Sequence, residues 1–350
     1  MRLGLNLGYW RTGYGVEYLD LATVADDLGF SSVWVSEVFS SDAVSVVSWI
    51  AARTRRVDVG TAVMQIPARA PVMTAMSAAT VDALSSGRFR LGLGVSGPQV
   101  SEGWYGVGFD QPLARTREYV AVVRATLDHS PSVHAGPHYR LPLPDGAGVP
   151  FVLGVPSVRE RVPVYLAAIG PRSLELAGEI ADGWLGLFTS PEFVVRQVDR
   201  ILAGRARVGG TLEGFDVAAT TPLVVGDDVR ACVDAVRPFA ALYLGGMGNR
   251  RVNFYGRLAA EMGFGAEAAR VQERFLAGRH DEAMALVPPE FVDATSLLGP
   301  PGRIAERMQA FAEAGVTTLN LAVMKTDQGV ARCARAMRTA AEAFESAGLA

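Results

Sequence analysis

Short apolar runs alternate with helical patterns along the first half of the chain, the signature of βαβ units and a parallel sheet. Arg2–Gly8 reads as a strand, followed by a helix from Val16 to Leu28 that Gly29 closes in the C-cap role. Ser32–Glu37 is the second strand and Ala43–Arg53 the second helix. Val57–Met64 is the third strand, and Pro71 opens a helix running to Leu84, proline being suited to a first helical turn. Arg88–Val95 is the fourth strand.

The rhythm then breaks. Ser96–Pro163 is rich in Gly and Pro, interrupted by an amphipathic helix over Leu113–Leu127, and His138–Leu143 with Phe151–Leu153 reads as a short hairpin. This segment is expected to lie over the mouth formed by the strand ends. Alternation resumes with strands at Val164–Ala168, Gly183–Leu187 and Phe215–Val225. A helical block follows over Val229–Ala285, then an eighth strand at Thr317–Val323 and a last helix over Val330–Ser346. Eight short Val/Leu-rich strands fit a closed (β/α)8 TIM barrel, with an insertion after strand four and a helical insertion between strands seven and eight. Residues 1–350 then form a single domain. An open doubly wound sheet is the alternative, but its G-x-G-x-x-G fingerprint is missing after the first strand.

Composition narrows the field. Hydrophobic residues make up 49% and charged residues 20%, ample for a large core. A net charge of -3 gives no basic face for a nucleic acid. The two cysteines, Cys232 and Cys333, and the four histidines follow no metal-ligand spacing. No apolar run reaches the length of a membrane span and no signal peptide is recognisable, so a cytoplasmic enzyme without a membrane partner is expected.

In a barrel the chemistry sits on the loops after the strands. The first such loop, Gly8–Gly15, is aromatic and glycine-rich; it reads either as a surface loop or as a lid whose Tyr9 and Trp10 meet a planar ligand. Glu37 ends strand two, where desolvation can tune a carboxylate for acid–base work, although pairing with an arginine is the plainer alternative. Asp42 reads as a helix cap. Gly92–Pro98 lets backbone amides approach an anion or a ring edge. Gly170-Pro171-Arg172-Ser173 runs straight into a helix, bringing free N–H groups, a guanidinium and a hydroxyl to one place, as an anion site requires.

Taken together, these segments resemble the bacterial luciferase-like superfamily of flavin- and deazaflavin-dependent oxidoreductases. The resemblance is carried by Gly60-Thr61-Ala62-Val63-Met64-Gln65, Ser86-Gly87-Arg88-Phe89-Arg90-Leu91-Gly92-Leu93-Gly94, Ala181-Asp182-Gly183-Trp184 and Gly315-Val316-Thr317. Ser41-Asp42-Ala43, Pro67–Pro71, Ser96–Val100 and Glu102–Gly106 are similar to an actinobacterial group assigned to coenzyme F420. The resemblance implies a cofactor ring across the strand ends, backed by a non-proline cis peptide at Ala62-Val63 with Gln65 beyond it. It places the cofactor's phosphate by Val95, Ser96 and Gly97 and by Gly170, Pro171 and Arg172.

Many deazaflavin-dependent relatives carry Asp-His after strand two, where this chain has Glu37-Val38. His-assisted alcohol oxidation therefore recedes. The expected reaction is hydride transfer from reduced coenzyme F420 to a C=C or C=N bond of a small or medium substrate, with Glu37 or solvent supplying the proton. An FMN-dependent monooxygenase is the alternative, and a non-catalytic cofactor-binding or partner subunit a second. Trp10, Trp104 and Tyr105 are the expected substrate-pocket walls. Ala43–Ala52 carries no charge and Pro71–Leu84 only Asp82, so these helices are expected to meet a second copy in a homodimer.

Overall fold

A computed structural model describes residues 1–10, 13–249, 251–324 and 329–350. Eight parallel strands close on themselves: β1 Arg2–Asn6, β2 Ser32–Val35, β3 Asp58–Thr61, β4 Phe89–Gly94, β5 Val164–Ala167, β6 Gly183–Leu187, β7 Asp216–Val225 and β8 Thr318–Val323. Each pairs with its sequence neighbour, and β8 returns to β1 in the register Leu3↔Leu319. The architecture is the (β/α)8 barrel that the alternation of apolar runs implies.

The period of two along each strand decides what fills the barrel and what faces the helices. Leu3, Leu5, Val33, Val35, Val59, Leu91, Leu93 and Leu319 point outward into one large core under the helices. The intervening positions point inward. Trp34, Tyr165, Leu185 and Ala218 form a separate inner cluster, with Trp34 and Tyr165 edge to face at 5.1 Å. Below it, toward the strand N-termini, the barrel is plugged by charge. Arg90 donates to Asp58 (2.7 Å), the Tyr165 hydroxyl (2.6 Å) and Asp216 (3.1 Å). Asp216 also accepts from Thr318 (2.8 Å) and pairs with Arg2 (3.0 Å). Buried charges persist when paired and hydrogen-bonded, and every charge in this plug is.

Helices α1 Leu21–Asp27, α2 Ala43–Ala51 and α3 Pro71–Leu84 follow the first three strands. The start of the first expected helix, Val16–Asp20, is a tighter 3-10 turn instead. The segment after β4 corrects two expectations. Only its first part, from Ser96 to Gln111, stays at the mouth. After the helix Pro112–Leu127 returns toward the strand N-termini, residues 128–163 lie outside the helix layer. There Arg159 grips Asp82 (2.6 Å) and the carbonyl of Phe89 at the foot of β4, and Leu91 donates to the Pro163 carbonyl. The hairpin pairs His134–Ala135 with Arg140–Leu141, not His138–Leu143 with Phe151–Leu153. Gly136-Pro137 makes the turn, and the Glu118 carboxylate fills it, accepting from the amides of His138 (3.1 Å) and Tyr139 (3.2 Å).

The block between β7 and β8 is several helices rather than one run. Val229–Ala241 widens into a π-type turn over Leu242–Gly246, followed by Phe254–Glu261, Gly265–Leu276, His280–Ala285 and Pro289–Ala294. A short strand, Leu297–Gly299, unanticipated from the sequence, then pairs with Leu223–Val225 at the upper end of β7.

Candidate active site

The C-terminal ends of the strands form a mouth whose floor is largely backbone. The Ala62–Val63 peptide is cis, at the position that the resemblance implies, and both residues are half-buried above the Trp34–Tyr165 layer. β4 accommodates this bulge because it has no side chains to oppose it. A Cβ at Gly92 would lie 1.8 Å from the Thr61 carbonyl oxygen, and one at Gly94 would lie 2.5 Å from the Val63 side chain. Glycine at these two positions is therefore a condition of the site's shape. The Asn6 amide closes the floor on the other side, accepting from the Gly8 amide (2.8 Å) and donating to Thr220 (3.4 Å).

One rim is stitched together by Gln65. Its amide nitrogen donates to the Val38 carbonyl (2.8 Å) and to the Tyr105 hydroxyl (3.0 Å), and its amide oxygen accepts from Ser96. Tyr105 in turn donates to Val38 (3.1 Å), so the ends of β2, β3 and β4 and the short helix Pro98–Gly103 are held as one piece. Burial, then the nearby Glu37 charge, pushes the Tyr105 phenol above its ordinary value. Ser96, φ 63°, is in the left-handed region, a conformation that concentrates at functional sites in non-glycine residues. Val95, Ser96 and Gly97 are all half-buried at the mouth.

Glu37 has the arginine pairing that the sequence left open as the plainer alternative. Arg69 grips it through both nitrogens, at 2.7 and 2.8 Å, and the amides of Ala43 (3.0 Å) and Gln65 (3.4 Å) reach the same carboxylate. The carboxylate is buried and accepts two guanidinium bonds and two amide bonds. The geometry makes Glu37 a brace between β2, the residues after β3 and the start of α2. Arg69 also bonds Asp42, and Asp42 caps α2 by accepting from Ser45 (2.7 Å). The bond to Glu37, together with both carboxylate charges, outweighs burial and holds Arg69 more firmly protonated. Arg69 was legible only as part of the Pro67–Pro71 run. A lone arginine between two prolines just beyond a strand end was the signal for it.

The second cluster of expected residues lies after β5. Gly170 precedes the helix Pro171–Ile180, Ser173 donates to the Gly170 carbonyl (2.7 Å), and Arg172 is exposed with no partner among the described residues. A free guanidinium in the first turn of a helix suits an anion. The three expected pocket aromatics do not share one wall. Trp10 donates to the Tyr14 carbonyl (3.1 Å) and closes its own loop, of which Arg11 and Thr12 lie outside the described residues. Trp104 is 65% exposed on the outer rim, tilted against Phe39 at 6.5 Å. Tyr105 alone of the three is tied into the mouth. Among the described residues no group of three or more His, Cys, Asp and Glu is placed to hold a metal.

A family description for luciferase-like monooxygenases matches residues 12–318 of this sequence. The chain belongs to the luciferase-like monooxygenase family. It is 41% identical, over 94% of its length and 96% of the relative's, to a Mycobacterium tuberculosis protein provisionally named as a coenzyme F420-dependent oxidoreductase. It is 28% identical, over 87% of its length and 88% of the relative's, to the 5,10-methylenetetrahydromethanopterin reductase of Archaeoglobus fulgidus. The solved coenzyme F420-dependent tetrahydromethanopterin reductase of Methanopyrus kandleri superposes with a TM-score of 0.78, covering 96% of both chains at 23% identity. The likeness to that luciferase-like enzyme is one of fold.

Proposed function

We propose that the protein is a coenzyme F420-dependent oxidoreductase, with residues 1–350 acting as one barrel domain, that reduces a C=C or C=N bond of a small or medium organic substrate. The observation that carries this reading is the pairing, at the strand C-terminal ends, of the cis peptide Ala62–Val63 with an Arg172 that has no partner among the described residues, at a helix start. A planar ring fits the floor, and a phosphate fits the helix start. The sequence relatives named for coenzyme F420 and for methylenetetrahydromethanopterin reduction support the same cofactor.

In this reading Ala62 and Val63 back the ring, Gln65 and Ser96 hold that backing in place, and Val95–Gly97 with Gly170–Arg172 take the phosphate. Bound in its reduced form, the deazaflavin supplies hydride from its ring. The chain's own part is to orient the two partners and exclude water from between them. Because Glu37 is locked to Arg69, the proton that completes a reduction comes from solvent or from another side chain at the mouth.

The test is a titration of the purified protein with oxidised F420 and, separately, with FMN. Tight deazaflavin binding, weakened about tenfold by Arg172→Ala, is the expected result. Tight FMN binding with none for F420 would sink the proposal and favour the monooxygenase alternative.

We further propose that two copies pair through α2 and α3. Trp49, Met73 and Met76 are 48%, 46% and 43% exposed on these helices, where an outer barrel helix is ordinarily polar. A dimer in sedimentation equilibrium that dissociates on Met76→Glu is the expected outcome, and a monomer at micromolar concentration would end this idea. Among the described residues no helix is long and apolar enough to cross a membrane.

A further inference from the structure

Gly4, Gly60 and Gly183 all stand at inward-facing positions of the barrel, and what fills the space beside each differs. A Cβ at Gly60 would lie 2.6 Å from the Trp34 ring, and one at Gly183 would lie 2.3 Å from the Tyr165 ring. Rings fill those two hollows. The hollow over Gly4 is filled by polar tips instead: a Cβ there would lie 2.0 Å from Asn320 Oδ1 and 2.7 Å from Ser32 Oγ. An apolar side chain could fill the same space without bringing a polar group into the core.

Register makes this one level of the barrel. Ser32 pairs with Gly4, Gly4 with Asn320 and Asn320 with Thr220, so β2, β1, β8 and β7 contribute one residue each. Ser32 and Asn320 are 0% exposed and Thr220 5%, yet their hydrogen-bonding capacity is largely unspent. Neither end of the Asn320 amide has a partner among the described residues. Ser32 accepts from the Trp34 indole (2.9 Å) and Thr220 accepts from Asn6 (3.4 Å), but among the described residues neither hydroxyl has an acceptor for its own hydrogen. A carboxamide buried without partners is costly, and in folded proteins such groups are normally met by an internal water.

We propose that this level binds internal water and that its first site is the hollow over Gly4, where a water molecule accepts from the Ser32 hydroxyl and donates to Asn320 Oδ1. One hydrogen to take and one acceptor to meet are the demands that a water satisfies at once. By taking the Ser32 hydrogen, the water leaves the Ser32 oxygen turned to the Trp34 indole and strengthens it as an acceptor. Trp34 is fully buried in the layer against which Ala62 and Val63 pack, so the water steadies the ring beneath the floor of the mouth. Ser32 and Asn320 are thus positioning residues that act through Trp34. This holds whichever cofactor lies on the floor.

The first test is a crystal structure of the wild-type protein, which needs no variant to fold. A water over Gly4 within hydrogen-bond distance of both Ser32 and Asn320 is the expected result. A direct Ser32–Asn320 bond with no water between them would overturn the proposal. In solution, oxygen-17 relaxation dispersion counts the waters that a protein holds far longer than its surface does. That count is expected to fall in Asn320→Leu, which lays an apolar side chain over the hollow, and an unchanged count would contradict the site. The link to the floor is read from the Trp34 indole resonance by NMR. Ser32→Ala and Asn320→Leu are both expected to shift it and to speed its hydrogen exchange about tenfold. The Trp184 indole, which donates to the Ala168 carbonyl (2.8 Å), should stay in place as the internal control. A Trp34 resonance that moves in Ser32→Ala but not in Asn320→Leu would end the positioning role, because Asn320 reaches that ring only through the water.

Discussion

Two ion clusters, each centred on a buried carboxylate, occupy opposite ends of the same barrel, and they are built differently. At the strand N-termini, Arg90, Asp58, Asp216 and Arg2 come from the strands β1, β3, β4 and β7 themselves, and Tyr165 and Thr318 complete their bonds from inside the barrel. At the C-terminal end, Glu37, Arg69 and Asp42 come from the residues just beyond strands and just before helices. The first cluster joins parts that the hydrogen-bonded ladders already hold. The second joins segments beyond the strand ladders that are otherwise tied only by side-chain bonds such as those of Gln65 and Tyr105, so its geometry helps set the shape of the mouth. Burial of charge therefore means stability at one end and positioning at the other.

The contrast breaks most sharply at Asp216. Asp216→Ala leaves Arg90 buried against fewer counter-charges, and a loss of about 3–5 kcal/mol in urea unfolding is expected. Glu37→Gln keeps the volume but frees Arg69 and slackens the Gln65 amide. A smaller loss, about 2 kcal/mol, is expected, together with a drop in deazaflavin affinity of about tenfold that Asp58→Asn does not produce. Equal affinity losses in Glu37→Gln and Asp58→Asn would erase the distinction between the two ends.

Acid separates them more gently. Burial opposes ionisation of both Asp216 and Asp42, yet Arg2 with Thr317 and Arg90 at the first, and Ser45 with Arg69 at the second, hold each below the ordinary value of 3.8. A carboxyl depressed in the folded state contributes stability that is complete above its unfolded value and is lost as pH falls through its folded value. Stability should thus decline below about pH 4. Asp216→Asn should flatten that decline more than Asp42→Asn, since Asp216 is buried and Asp42 is exposed; urea midpoints between about pH 5 and pH 3 measure it. The smallest stability effect is expected at Arg172→Ala, within about 0.5 kcal/mol, because the guanidinium has no protein partner to lose. A larger shift in the thermal midpoint would show a structural duty for that arginine.

The barrel was legible because strand positions 3, 5, 33, 35, 59, 91 and 93 are apolar and their alternates, Trp34 apart, are small or polar, a period of two that needs no tertiary context. The side of the barrel on which the long segment after β4 lies was not legible. Periodicity carries no sign for it, and the deciding contacts, Arg159 with Asp82 and Phe89, span 70 residues or more. The role of Glu37 turned on Arg69, 32 positions away. A carboxylate at a strand end is visible in the sequence, but the partner that pairs with it is not. Phe188 gave no sequence signal: its φ of 54° and the rings of Phe239, Tyr255 and Phe291 packed around it are tertiary facts.

β7 runs ten residues, from Asp216 to Val225, and outlasts its neighbours at the mouth. Its surplus, Leu223–Val225, is taken up by Leu297–Gly299, and Gly226 donates one more bond to the Gly299 carbonyl (3.1 Å). The helical segment between β7 and β8 is thereby tethered twice, leaving β7 before Val229 and rejoining the sheet at Leu297. A flap hinged at one end samples many positions, whereas a handle fixed at both ends shares the motions of what it is fixed to. The amide protons of residues 297–299 belong to the barrel's hydrogen-bond ladder, so they exchange with solvent only when that ladder opens. The helices between Val229 and Ala294 therefore move with the barrel rather than independently of it.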